Sequence, residues 1–129
     1  VARLGELSGL FDIVEIAYDR WRIKDLRVMA ENEGLAVLFA DFGQGFKDMS
    51  PAVDALETAL INRNIKHTGN PALTWCAANT VMVEDAAGNR KPAKNKSTGR
   101  IDGIVAAIMA CSRGMLAGEK EIKSEIIFL

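Results

Sequence analysis

Residues 11–19 constrain the fold more than any other stretch of this chain. Ile13, Val14, Ile16, Ala17 and Tyr18 form an almost unbroken apolar run, rich in β-branched side chains, that closes on Asp19. A run without polar alternation suits a strand buried on both faces, in the middle of a sheet covered by helices. Across residues 22–33 the period becomes helical, with Ile23, Leu26, Met29 and Ala30 on one face and Gly34 as the stop. A second short apolar run at 35–39 reads as the next strand. Strand, helix and strand in this order predict a parallel pair joined by a right-handed crossover.

The rest of the chain continues the α/β alternation. Residues 2–10 carry weak helical character, with Leu4, Leu7 and Leu10 three apart. Residues 41–49 read as a loop around Gly43-Gln44-Gly45, and Ser50-Pro51 as the N-cap and first turn of a helix bearing Val53, Leu56 and Leu60. Asn70-Pro71 repeats that device for a shorter helix through Trp75 and Cys76. Residues 80–84 are expected to be a strand, followed by a turn at 85–89 and a basic loop. The last long helix is expected over about 99–115, burying Ile101, Ile104, Val105, Ile108 and Met109. The tail, about 117–129, ends in Ile126-Ile127-Phe128-Leu129, whose exposure would be unusual.

At 129 residues the chain is expected to form a single domain, 1–129. It is 49% hydrophobic and 26% charged, the balance of a globular protein rather than a disordered tail. A formal net charge of -1 argues neither for nor against nucleic acid, so any basic surface must be local. Cys76 and Cys111 lie far apart in apolar surroundings, which suits buried free thiols of a reduced compartment. No apolar stretch approaches the ~20 residues that span a bilayer, and no signal peptide is visible. The chain is therefore expected in the cytoplasm. It begins with Val1, which fits either a removed initiator methionine or a cut point in a longer protein.

Three features could carry chemistry. Asp19 stands at the C-terminal end of the first strand, where α/β sheets place their sites. The ordinary role of such an aspartate is to end the strand or cap the next helix. Asp102 opens the last helix between Ile101 and Gly103; its ordinary role is compensation of the helix dipole, and its other role is to offer an oxygen ligand beside a small residue. Arg90, Lys91, Lys94, Lys96 and Arg100 form the third feature, a basic stretch with no acid among them. Local clusters of this kind bind phosphate backbones, although many are only solvated loops. His67, the single histidine, is a phosphate contact or a structural hydrogen-bonding residue. The Gly43-Gln44-Gly45 loop lacks the lysine of a P-loop, and no ATPase motif occurs in the chain.

In order and spacing, these pieces resemble one family. They are Ile16-Ala17-Tyr18-Asp19-Arg20-Trp21, Gly43-Gln44-Gly45-Phe46 leading to Met49-Ser50-Pro51-Ala52, and His67 with Asn70-Pro71 and Trp75. Asn79, the 85–91 turn, the lysines to Lys96, and Ile101-Asp102-Gly103-Ile104-Val105-Ala106 complete the series. It resembles the C-terminal nuclease region of phage terminase large subunits, from about Leu10 to Ala110.

That resemblance implies a partial RNase H-like fold, a mixed sheet flanked by helices, with an acidic cluster that binds Mg²⁺ or Mn²⁺ and cuts a DNA phosphodiester. Asp19 and Asp102 carry over as catalytic and metal-binding residues. Arg20, His67, Arg90, Lys91, Lys94, Lys96 and Arg100 are the expected DNA contacts of such a chain. The implied partners are double-stranded DNA, the portal and the small terminase subunit, in the cytoplasm of a bacterial host. The family's remaining metal-binding aspartate lies on a strand upstream of the matched region, so this chain alone is expected to be weak or inactive and to self-associate through an uncovered sheet edge. Two alternatives remain: a non-catalytic DNA-binding or assembly module from a prophage remnant, and another RNase H-like enzyme such as a resolvase or transposase.

Overall fold

A computed structural model describes residues 1–21 and 23–117. The chain divides into two compact units, Val1–Gly43 and the part from Gln44 onward. The expected β-α-β order is present in the first. There α1 (Ala2–Leu10) precedes β1 (Glu15–Asp19), α2 (Lys24–Asn32) and β2 (Leu38–Phe42). β1 and β2 pair in parallel, with Glu15 opposite Leu38 and Asp19 opposite Phe42.

Gly34 ends the turn after α2 with φ of 70°, a left-handed conformation that costs glycine nothing, and Leu35 N–H closes back onto the Ala30 carbonyl at 2.9 Å. That closure delays the second strand. It runs to Phe42 rather than ending at residue 39, and so takes in Asp41, the first residue of the expected loop. β1 is also shorter than the apolar run suggested, and it is half-buried instead of covered on both faces. Only Ala30 and Phe42 are fully buried among the described residues of this unit.

The second unit holds a true core. It contains α3 (Phe46–Ile61), α4 (Pro71–Asn79), β3 (Met82–Glu84), β4 (Arg90–Pro92) and α5 (Asp102–Ala117). Met49, Ala52, Val53, Leu56 and Ala59 of α3 are buried together with Ala93 and with Ile101, Val105, Ile108, Met109 and Cys111. The sheet here is an antiparallel pair, β3 with β4, and Val83 faces Lys91 in its register. Asn70 caps α4 as its sequence predicts: its side-chain oxygen accepts from the Ala72 and Leu73 N–H groups at 2.9 and 3.2 Å, and Pro71 fills the first turn.

Ser50-Pro51 does not start a helix. α3 begins five residues earlier, with Gly45 as N-cap, and Pro51 lies inside it. Pro51 has no N–H to give the Lys47 carbonyl, so one helical bond is lost. The packing of Met49, 2% exposed, holds the extra turn in place. Ser50 is buried, and its hydroxyl accepts the Arg90 backbone N–H at 3.1 Å, tying β4 to α3. The basic residues Arg90 and Lys91 consequently lie on a strand, where a loop had been expected. The Ile126–Leu129 tail falls outside the described residues.

The architecture is thus a mixed α/β one, with two small sheets flanked by helices. Among the described residues no helix is long and apolar enough to cross a membrane.

Candidate functional site

In the second unit α5 positions the main candidate. Ile101, 2% exposed, anchors the chain just before the helix, and Val105 and Ile108 continue its buried face. Asp102, the first helical residue, is therefore turned outward and exposed. One of its carboxylate oxygens meets the Lys94 Nζ at 2.9 Å. The hydrogen bond and charge of Lys94, with a further contribution from Arg100, hold Asp102 below the usual carboxylate range. The Cα of Gly103 faces α4. A Cβ there would come within 3.3 Å of Cys76 Sγ and 3.5 Å of Leu73 Cδ1, so this glycine serves the close packing of α4 on α5.

The stretch from Ala93 to Arg100 is built rather than loose. Ala93 is buried, and its N–H bonds to the Val81 carbonyl at 2.9 Å. Ser97 donates its hydroxyl to the Ala93 carbonyl at 2.7 Å and accepts the Val81 N–H at 3.1 Å. A Cβ on Gly99 would stand 2.6 Å from Asn79 Nδ2 and 3.1 Å from Trp75 Cζ2, so any other residue there would make these two side chains give way.

The cations of this stretch differ in how they are held. The Arg90 guanidinium is bidentate on Glu57 at 3.0 and 2.8 Å and reaches Asp54 at 2.5 Å. Those two acids of α3, Glu57 first, make Arg90 even harder to deprotonate than an ordinary arginine. Lys91 rests over the Phe46 ring, 4.8 Å from its centroid. Lys94 is paired with Asp102, and Lys96 and Arg100 are exposed. His67 is exposed and local in its bonding: Nδ1 accepts the Gly69 N–H at 3.1 Å, in the turn that leads to the Asn70 cap.

In the first unit Asp19 ends β1 and is exposed, as are Arg20 and Trp21 beside it. Its carboxylate accepts the Trp21 backbone N–H at 3.4 Å. Asp41, overlooked in the sequence, stands opposite Tyr18 on β2 and accepts the Tyr18 hydroxyl. That bond, followed by desolvation, pushes the Tyr18 phenol above its usual range. Because Asp19 pairs with Phe42 and not with Asp41, the two acids project from opposite faces of the pair. A second strand drawn to residue 42 would have shown Asp41 in the sequence. The Arg90 partners Asp54 and Glu57, three apart on one helix, carried no such signal.

Asp19 and Asp102 are donors of the right kind for Mg²⁺ or Mn²⁺, hard carboxylate oxygens. Among the described residues, however, no group of three or more His, Cys, Asp or Glu side chains could hold a metal ion. These residues do not by themselves fit a complete metal site.

Comparison with known proteins supplies the context. The family profile "Terminase large subunit, endonuclease domain" matches residues 1–119. The chain is 52% identical over 119 residues to the "Terminase, large subunit" of Enterobacteria phage HK97, covering 92% of this chain and 23% of that protein. It is 38% identical over 87 residues to "Protein YmfN" of Escherichia coli K12, covering 65% of this chain and 19% of that protein. The crystal structure of the HK97 bacteriophage large terminase superposes with a TM-score of 0.81 at 51% identity, over 87% of this chain and 23% of that one. The chain thus spans about a quarter or less of the length of these relatives.

Proposed function

The chain belongs to the terminase large subunit endonuclease domain family, and on that premise we propose that it is a part of the nuclease that cuts phage DNA during genome packaging. The observation that carries this reading is the 52% identity with the HK97 large terminase across nearly all of the chain. The reaction is hydrolysis of a DNA phosphodiester that depends on Mg²⁺ or Mn²⁺, with Asp19 and Asp102 among the carboxylates required. The remaining ligands would come from the first strand of an RNase H-like nuclease domain of which 1–129, a single domain, is the C-terminal portion. By itself the chain would be weak or inactive, and its uncovered sheet edge would favour self-association. DNA would meet the face formed by Lys94, Lys96 and Arg100. The portal and the small terminase subunit are the proposed protein partners, in the cytoplasm of a bacterial host.

The test is a chimera in which residues 1–119 replace the matching segment of the HK97 large terminase. Mn²⁺-dependent cleavage of plasmid by the chimera, lost on Asp102→Asn and on Asp19→Asn, is the expected result. Unchanged cleavage by the folded Asp102→Asn chimera would remove that residue from the reaction.

A second reading rests on the local cluster of Lys94, Lys96 and Arg100 in a chain of formal net charge -1. In it the chain is a non-catalytic DNA-binding or assembly module. Such a module binds DNA with an affinity that falls with salt and is indifferent to EDTA, and the chimera does not cut.

A further inference from the structure

We propose that the Lys94 ammonium is shared between two acceptors, the Asp102 carboxylate and a DNA phosphate, so that Asp102 acts as a built-in brake on DNA binding by this face. The inference rests on the DNA-binding reading above and goes beyond it, because it assigns opposing roles in binding to two neighbouring residues.

The pairing is imposed by the fold. Lys94 directly follows Ala93, 6% exposed, whose backbone is fixed to Val81 and Ser97. Asp102 directly follows Ile101, 2% exposed, at the head of α5. With both backbones anchored, the two side chains meet at 2.9 Å as a property of the scaffold.

The pairing is also easily exchanged. The two side chains are 59% and 62% exposed, and ion pairs in that setting are worth little. A lysine ammonium is a compact point charge on a flexible stem, able to swing to another anion. The other cations of this stretch are held differently. Arg90 is bound by two acids at once, and its neighbour Lys91 lies over Phe46. Among the described residues, Lys94 is the one of these three whose partner is a lone, solvated carboxylate that a phosphate can replace.

Two consequences follow. While Lys94 sits on Asp102, the carboxylate occupies a cation that DNA would otherwise engage. Any cation that Asp102 accepts in place of Lys94 frees the ammonium for DNA, and by linkage DNA raises the affinity of Asp102 for that cation by the same factor.

The experiment measures the affinity of the 129-residue chain for a fluorescein-labelled DNA duplex by anisotropy in EDTA, across a salt series. Asp102→Asn is measured alone and in Lys94→Met and Lys96→Met backgrounds, with Lys94→Gln as a second neutral variant. Thermal midpoints verify that each variant is folded. Asp102→Asn is expected to tighten binding by about threefold, the scale of one exposed ion pair, and to steepen the dependence on salt by less than one phosphate contact. The gain is expected to persist with Lys96→Met and to vanish with Lys94→Met and Lys94→Gln. An equal gain in all backgrounds would reduce Asp102 to a generic negative charge and overturn the proposal while leaving the DNA-binding reading intact. No gain at all overturns it too. Failure of every variant, wild type included, to bind DNA would overturn both.

Discussion

The two units of this chain solve the burial problem to very different extents. From Gln44 onward, Met49, Leu56, Ile101, Ile108 and Cys111 are all buried, with α3 packed against α5. In Val1–Gly43 only Ala30 and Phe42 are fully buried among the described residues, while Leu38 is 71% exposed and Val14 60%. Parallel strands are ordinarily covered on both faces, and a two-stranded sheet holds little stability of its own. The difference teaches that the second unit carries its own hydrophobic stabilisation. The first presents apolar surface of a kind that other elements normally cover.

The sharpest way to break this comparison is a matched pair of truncations. Ile101→Ala is expected to cost about 2–5 kcal/mol in urea unfolding, since it removes a fully enclosed side chain. Leu38→Ala should stay within about 0.5 kcal/mol, because solvent already bathes that residue. Equal losses would mean that Leu38 is covered in solution.

The next effect is smaller and local. Asn70→Ala removes the oxygen that receives two N–H groups at the start of α4, and is expected to cost about 1 kcal/mol in the same measurement. A loss within experimental error would show that α4 is held by Gly99 and Gly103 packing alone.

Tyr18→Phe sharpens the comparison from the other side. It deletes the hydroxyl that bonds Asp41 across β1 and β2. Hydrogen exchange should then quicken at the amides of these two strands and stay unchanged in α3 and α5. Faster exchange in both units would contradict their separate stabilisation.

The smallest effect is set by pH. Asp85 accepts hydrogen bonds from the Asn89 side chain, the Asn89 N–H and the Ala87 N–H, and the Asn89 bonds lead in holding its pKa below the usual value. A depressed carboxylate pKa adds stability above the unfolded value, and that contribution is lost as pH falls through the folded one. The thermal midpoint of the wild type should therefore fall, relative to that of Asp85→Asn, from about pH 4 downward. Parallel curves for the two proteins would show that the β3–β4 turn is indifferent to this charge.

The places of several candidate residues on their elements could be read from residues close together in the chain. Asp102 at the head of α5, Asp19 at the end of β1 and the Asn70-Pro71 cap all stand where the sequence puts them. Asp41 was missed because the Gly34 closure moves the second strand three residues along, and hydrophobic runs mark strand ends poorly. Arg90 looked like one of five equivalent cations. Its two acids lie more than thirty residues away on α3, and only packing brings them within reach.

The sequence by itself determined the β-α-β order, the phase of α5 that buries Val105 and Ile108 and exposes Asp102, and the membership of a terminase nuclease family. Those depend on periodicity, caps and motif order, which near neighbours along the chain dictate. Tertiary structure decided that Pro51 lies inside a helix, that Ser50 bonds to β4, that Gly103 is filled by Cys76, and that Lys94 rests on Asp102. Each of these depends on how elements distant in sequence come to lie side by side, where a shift of an ångström or two makes or breaks a hydrogen bond.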